Sequence, residues 1–318
     1  MNKISVAMTT YNGGEFLREQ LDSMLEQSRP VNELVVCDDG SVDNTIEILK
    51  EFTARAPFSV NVLINEHKLG STKNFEKAIS LCSGDIIVLC DQDDVWLPNK
   101  IAVFEKMFEI KPDCGMVFTD GMVVDENNIP LYRLWKSIGF DKKRQRMFMG
   151  GNALLLFIGG NVVTGATAAI RKTFFEEAIP FPPYFVHDHW LATIAVLKRK
   201  LVFNTDLTIH YRKHSSQQLG TPEDESWSER FNNVFNFEKS ISSMRLMQNE
   251  LDRRFHLTER DKKIFRAKIN FYAFRSNLPA NPLIRFFQII KNLFCGDYHK
   301  FASGFLSALK DICPGNKG

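Results

Sequence analysis

Four short apolar runs, at residues 4–8, 34–37, 60–64 and 85–89, alternate with segments whose apolar residues recur at helical spacing. Phe16, Leu17, Leu21, Met24 and Leu25 mark a helix within residues 15–27. Ile46, Ile48, Leu49 and Phe52 mark a second over 45–52, and a third runs through Phe75 to Leu81. A chain that alternates strand and helix pairs its strands in parallel, because each helix carries the chain back to the same edge by a right-handed crossover. Open sheets of this kind bind ligands at the carboxyl ends of their strands. The polar residues collect at those ends: Thr9-Thr10-Tyr11-Asn12-Gly13-Gly14 after the first run, Asp38-Asp39-Gly40-Ser41-Val42-Asp43 after the second, and Asp91-Gln92-Asp93-Asp94 after the fourth. A polar rim on an apolar sheet implies a binding site.

The last of these clusters is the most demanding chemically. Asp91, Asp93 and Asp94 put three carboxylates in four positions at the end of a buried strand, where they repel one another unless a cation lies between them. Hard divalent cations take oxygen ligands and complete their shells with water and substrate phosphates. An Asp-x-Asp pair in an open loop therefore suits a metal that holds a diphosphate. The same residues also make a solvated acidic turn, with Asp94 as N-cap of a helix through Ile101 to Met107.

Five segments taken in order carry a resemblance: Met8-Thr9-Thr10-Tyr11-Asn12, residues 38–43, Asp91-Gln92-Asp93-Asp94-Val95-Trp96, the Gly-rich stretch 159–168, and His187-Asp188-His189-Trp190. Over the first two thirds of its length the chain resembles the family 2 glycosyltransferases. That resemblance implies the GT-A fold, an α/β architecture with a mostly parallel sheet flanked by helices, here over residues 1–224, followed by a helical, basic extension over 225–318. The Asp-Gln-Asp-Asp-Val-Trp form, with Tyr211-Arg212-Lys213-His214 later in the chain, looks like the bacterial branch that builds surface polysaccharides and includes rhamnosyltransferase-like enzymes.

The resemblance also implies roles. The reaction is inverting transfer from a UDP- or dTDP-sugar to a glycan or lipid-linked acceptor, with Mn2+ or Mg2+ as cofactor. Asp93 is the direct metal ligand, Asp91 holds the ribose or a metal-bound water, and His214 is a further ligand or a packed surface residue. Thr9 and Tyr11 frame the base, Asp39 accepts from a base N–H with Asp38 beside it, and Gln92 and Lys73 complete the donor site. Asp-Asp-Gly-Ser is equally good turn chemistry, and a Lys at a helix start is ordinarily solvated. Asp188 is the general base or the cap of a helix over 190–197. Around the acceptor stand Gly165, His187, His189, Trp96 and Trp190, the two tryptophans as sugar walls or as core. His187 departs from the family pattern, which places an acidic residue before the aspartate.

Other classes fit less well. The first strand is not followed by the Gly-x-Gly-x-x-Gly of a Rossmann dehydrogenase, nor does the chain hold a P-loop or a zinc spacing of Cys and His. A related nucleotidyltransferase needs a Gly-rich phosphate loop where Thr10-Tyr11-Asn12 stands. A non-catalytic sugar-nucleotide-binding scaffold has no use for a base, so Asp188 together with Asp91 and Asp93 favours an enzyme. Six cysteines without framework spacing, several inside apolar strands, suit a reducing cytosol. Met1-Asn2-Lys3 leads straight into the first strand, and no apolar run approaches the roughly 20 residues of a membrane span, which together predict a cytoplasmic protein or one at the inner face of the cytoplasmic membrane.

The net charge of +2 conceals an asymmetry. Residues 225–318 carry 16 Lys+Arg against 9 Asp+Glu, a net of +7, which leaves −5 for the rest. Helices are expected over 227–255, 259–275 and after Asn281-Pro282. In the last of these Leu283, Ile284, Phe286, Phe287, Ile289, Ile290, Leu293 and Phe294 share the apolar side, with Arg285, Gln288, Lys291 and Asn292 on the other. Such a helix lies in a membrane interface beside anionic lipid, or packs on the catalytic domain or a second subunit. No nucleic-acid-binding motif accompanies the basic charge.

Overall fold

The structure is a computed structural model that describes residues 2–215 and 236–313. It divides into two compact units, Met1–Lys142 with Val162–Thr221, and Lys143–Asn161 with Pro222–Gly318. A boundary at 224 leaves out the excursion over 143–161, which belongs to the second unit. The beginning of the helix expected from Trp227 lies outside the described residues.

The first unit is built on a sheet. Its strands are β1 (Ile4–Thr10), β2 (Glu33–Asp38), β3 (Ser59–Ile64), β4 (Ile86–Cys90), β5 (Val95–Trp96), β6 (Met116–Val124), β7 (Pro130–Arg133), β8 (Ala168–Arg171) and β9 (Leu201–Arg212). Among the described residues they form one nine-stranded sheet in the order β3-β2-β1-β4-β8-β6-β9-β5, with β7 on β6. The first four strands are parallel, in registers that pair Thr10 with Asp38 and Met8 with Cys90. The ends of β1, β2 and β4 are therefore level. Beyond β4 the pairing is mixed: β8 runs antiparallel to β4 and β6, while β6 and β9 are parallel.

Burial explains the parallel half. All five residues of β4 are buried, as expected of a strand covered on both faces. Ile4, Val6 and Met8 of β1 join one core with residues of three helices: Leu17, Leu21 and Met24 of α1 (Leu17–Leu25), Ile48, Leu49 and Phe52 of α2 (Thr45–Arg55), and Ile101, Phe104 and Phe108 of α4 (Lys100–Ile110). Between them in sequence, α3 (Ser71–Leu81) packs on β1 and β2 and buries Phe75, Ala78 and Ile79. Burying such a side chain is worth about 1.5–3 kcal/mol, so these faces fix the crossovers. Two further helices complete what the site needs, α5 (Lys172–Ala178) and α6 (His187–Leu197).

The second unit is helical. It comprises short turns within 143–161 and the helices α7 (Phe237–Phe255), α8 (Glu259–Ser276), α9 (Pro282–Phe294), α10 (Asp297–Phe301) and α11 (Phe305–Ile312). Thr258 and Asp261 cap α8 reciprocally, and the Asn281 side chain accepts from Leu283 N and Ile284 N at the start of α9. Met244, Met247, Leu251, Phe265, Phe271 and Tyr298 are buried, and Lys268 Nζ donates to Leu155 O at 3.3 Å, tying the excursion to α8. Asp311 accepts from Arg275 Nε and Nη2 and from the Tyr298 hydroxyl, 2.7 Å away. The apolar side of α9 is different. Of its large residues Ile289 is buried, but Leu283, Ile284, Phe286, Phe287 and Phe294 are exposed, and α11, packed beside it, adds Phe305, Leu306 and Leu309. Among the described residues no helix is long and apolar enough to cross a membrane.

Candidate active site

A cleft of about 550 Å³ opens at the carboxyl ends of β1, β2 and β4. Of the expected site residues it brings together Thr9, Tyr11, Asp39, Asp91, Gln92, Asp93, Gly165, His187, Asp188 and His214. Five acidic residues line it, Glu15, Asp39, Asp91, Asp93 and Asp188, and among the described residues of its lining there is no Lys or Arg.

The first two loops are locked to each other. Asp38 is fully buried and accepts from the Thr10 hydroxyl, the Ser41 hydroxyl and the Gly40 and Ser41 backbone N–H groups. It shapes the turn, where Gly40 takes φ +87°, and does not reach the cleft. Asp39, the next residue, faces the cleft and holds the far loop, with Leu69 N at 2.7 Å, Gly70 N at 2.8 Å and Asn65 Nδ2 at 3.0 Å. Tyr11 exchanges two hydrogen bonds with the Gln92 amide, its N–H donating at 2.8 Å and its carbonyl accepting at 3.1 Å. Gln92 thus staples the first loop to the acidic one. A Cβ on Gly13 would stand 2.3 Å from Gln92 Oε1, which is why glycine is needed there. The Tyr11 ring carries the Lys68 ammonium 3.4 Å from its centroid. Lys73 is not in the cleft; it turns to Glu76 at 2.7 Å, and Ser71 and Asn74 of the same helix face the cleft instead.

The acidic loop divides its carboxylates. Asp93 Oδ2 lies 3.0 Å from His214 Nε2, whose ring packs on Phe16. Asp91 faces the cleft, and burial together with Asp93 and Asp188 pushes its carboxyl up to about 7. Asp94 is buried and accepts from Arg212 N at 3.0 Å, while its Oδ2 has no partner among the described residues. It does not cap α4, which begins six residues later behind Asn99. Two cations that sequence reasoning did not single out brace the loop from behind. Arg212, 1% exposed, donates to Asp93 O at 3.0 Å and to Glu126 O at 2.6 Å, and pairs with Glu19. Lys100, fully buried, donates to Ala166 O and lies 4.5 Å from the Trp96 ring centroid. Their signals were an Arg in the run Tyr211–His214 and a Lys on the apolar face of α4.

Asp188 sits in the first turn of α6, which begins at His187 rather than at residue 190. Its Oδ2 accepts from Gly165 N at 2.9 Å and its Oδ1 from His189 N at 2.5 Å. His189 itself does not line the cleft. The two tryptophans offered as sugar walls are core residues: Trp96 is 2% exposed, and Trp190 is fully buried with its indole N–H on Ala178 O at 3.0 Å. Large aromatic surface is worth more inside than at a rim, which overrides their position beside the motifs.

Residues 5–178 match the model of glycosyl transferase family 2. The chain belongs to that family. It is 28% identical to the dTDP-rhamnosyl transferase RfbG of Shigella flexneri over 229 residues, 67% of this chain and 73% of that protein. It is also 28% identical to the glycosyltransferase GlyG of Streptococcus pneumoniae over 243 residues, 75% of this chain and 79% of the relative. A glucosyltransferase of Escherichia coli, WfgD, whose acceptor is an alpha-D-GlcNAc-diphosphoundecaprenol, is 29% identical over a shorter stretch, 40% of this chain and 48% of its own. In fold the chain is similar to Staphylococcus aureus TarS 1-349, solved with UDP-GlcNAc, at a TM-score of 0.61 and 16% identity over 96% of this chain and 90% of that one. It is likewise similar to the mannosyltransferase PcManGT of Pyrobaculum calidifontis, solved with GDP-Man and Mn2+, at a TM-score of 0.55 and 18% identity over 98% and 85%. The sheet with its flanking helices is the GT-A fold, and the chain is a glycosyltransferase.

The acidic lining can be tested against the divalent metal that such folds employ. Asp93 and His214 converge, and Asp91 stands in the same loop, its carboxyl raised by burial and by the neighbouring Asp93 and Asp188. No three His, Cys, Asp or Glu side chains among the described residues close into a cage. Two convergent ligands and an open remainder fit a cation that takes water and phosphate oxygens for the rest of its shell.

Proposed function

We propose that this glycosyltransferase moves a sugar from a UDP- or dTDP-sugar to a hydroxyl of a glycan or lipid-linked acceptor, with inversion, in the synthesis of a bacterial surface polysaccharide. One observation carries the reading: the Asp188 carboxylate, fixed by the Gly165 N–H, opens on the same cleft as Asp91 and Asp93. A single base and no second nucleophile require one in-line displacement. The acceptor oxygen bonds to the anomeric carbon as its proton passes to Asp188, and the electron pair of the breaking bond leaves with the diphosphate. Asp93 and His214 would hold a Mn2+ or Mg2+ that neutralises charge on that diphosphate, with Asp91 on the ribose or a bound water. Tyr11 offers its ring to the base, Thr9 borders it, and Asp39 Oδ2, which accepts one loop contact, keeps a lone pair for the base N–H.

The names of RfbG and WfgD support a dTDP- or UDP-sugar donor and a lipid-linked acceptor. A lipid-linked acceptor brings the enzyme to the inner face of the cytoplasmic membrane, and the exposed apolar side of α9 and α11 suits contact with it. The same two helices carry Arg285, Lys291 and Lys310, whereas Asp311 is held internally by Arg275. The decisive test is calorimetry of the whole protein against UDP-, dTDP- and GDP-sugars with Mn2+, followed by NMR of the product. We expect tight binding of one nucleotide series and an inverted anomeric centre. Binding of none, or a retained configuration, rejects the proposal.

A further inference from the structure

His187 is 4% exposed, yet among the described residues neither ring nitrogen has a hydrogen-bond partner. A neutral imidazole carries one donor and one acceptor, and buried polar groups of that kind are nearly always paired. The ring is held by packing alone. It stacks on Phe75 with centroids 3.9 Å apart at 23°, and a Cβ on Gly165 would stand 2.7 Å from its Nε2. Gly165 is also the residue whose N–H fixes Asp188. The imidazole is therefore clamped at the cleft wall beside the proposed base, with both polar atoms uncommitted.

From this arrangement we infer that His187 reads a hydroxyl of a sugar ring bound in the cleft, as a neutral hydrogen-bonding group. The inference rests on the glycosyl-transfer reading and names a contact within it. Burial pushes the imidazole down to about 3, so it meets its ligand uncharged. A carboxylate or phosphate would call for a cation at this position, and the described lining supplies none. A hydroxyl both donates and accepts, so it satisfies either tautomer. A site built this way rejects a sugar that lacks the hydroxyl, because the imidazole is then left buried and unpaired. The hydroxyl belongs either to the donor sugar or to the acceptor sugar next to the attacking oxygen.

His187→Phe keeps the stack on Phe75 and removes both polar atoms; His187→Gln returns a group that donates and accepts. Both are read by calorimetry with UDP, dTDP, UDP-glucose and dTDP-rhamnose, and by transfer to a GlcNAc-diphosphoryl alkyl lipid. H187F should bind the nucleoside diphosphate as wild type does and melt no lower, since an unpaired polar group has gone. If the hydroxyl is the donor's, H187F loses the extra affinity that the sugar gives over the nucleotide. If it is the acceptor's, donor affinity stays and kcat/KM for the acceptor falls roughly 10–100-fold, with partial recovery in H187Q. H187F with unchanged sugar affinity and unchanged kcat/KM overturns the inference, as does a lower melting temperature with normal kinetics. Should H187F not fold, wild type assayed against singly deoxygenated donors and acceptors must lose roughly 10–100-fold at one position, and a flat panel overturns it. Wild-type protein that binds no nucleotide at all removes the glycosyl-transfer reading and this contact with it.

Discussion

Because His187 is buried without a partner, it should make the catalytic unit acid-sensitive in a way that one substitution removes. Its folded pKa is about 3 against 6.5 for the free side chain. As pH falls below 6.5 the unfolded chain takes up this proton and the folded chain does not, so stability present above pH 6.5 is lost progressively toward pH 3. One pH unit is worth about 1.4 kcal/mol per proton, which gives a loss of about 2 kcal/mol at pH 5 relative to pH 8. Two neighbours act in the opposite sense. Asp91, pushed up to about 7 by burial, and Asp94, also raised by burial, bind their protons in the folded state first, so they add stability as pH falls. The absolute profile mixes the two effects, and the difference between wild type and His187→Phe isolates one. Urea unfolding followed by tryptophan fluorescence suits the measurement, because Trp96, Trp135 and Trp190 all lie in the first unit. The stability of H187F relative to wild type should rise by about 2 kcal/mol between pH 8 and pH 5. Parallel profiles would show that the imidazole is already satisfied or solvated, and the reasoning from its burial would fail.

Asp188→Asn keeps the acceptor for Gly165 N–H and removes the base; donor affinity should persist while turnover falls roughly 10²–10⁴-fold, and unchanged turnover moves the base elsewhere. EDTA should abolish transfer and Mn2+ restore it, with Asp93→Asn weakening donor binding measured with the metal present; full activity of that variant in EDTA ends the metal-dependent account. Replacing the exposed Phe286, Phe287 and Phe294 by Ser should release the protein from phosphatidylglycerol vesicles at low salt but spare transfer to a short soluble acceptor. A wild type that ignores those vesicles, with the triple variant splitting an oligomer in light scattering, assigns the face to a second copy instead. Gly165→Ala should cut turnover through the clash of its Cβ with His187 Nε2, and an unaffected rate would mean that the loop yields freely.

How much of this was legible depended on burial. β1, β2 and β4 are buried along almost their whole length and write themselves as apolar runs, broken in β1 at Ser5, so the parallel half and its polar rim could be read directly. The mixed half could not. β5 has two residues, β7 is mostly exposed, and β6 breaks its apolar run with Thr119, Asp120 and Gly121. In the site, residues at strand ends were legible because the backbone aims the whole loop; on helices one position of rotation decides, so His187 and Asp188 reach the cleft while Lys73 and His189 do not. Lys73 looked like the phosphate contact, yet Ser71 and Asn74 turn to the cleft and Lys73 turns to Glu76. Trp96 and Trp190 stood in the right motifs and went to the core. That His187 lacks a partner is a fact of packing that no spacing encodes.

The charge balance of the acidic loop explains why a metal and the donor should arrive together. Asp91, Asp93 and Asp188 face the cleft with Asp39 and Glu15, and Asp94 lies just behind them. Against them the fold sets Lys100, buried at the back, which burial pushes down to about 8 while Cys90, Asp94 and Asp91 hold it up. Arg212 is largely spent on Glu19 and on backbone carbonyls. Lys100 lets the loop fold but faces away from the ligand, and the described lining offers a diphosphate no Lys or Arg. A nucleotide sugar alone would therefore meet repulsion from the carboxylates of the lining, in a partly desolvated cleft where charges act strongly on one another. A divalent cation held where Asp93 and His214 converge would reverse the sign of that encounter. Held there, such a cation would also offset the charge that the leaving diphosphate gains, so what admits the donor would favour its cleavage.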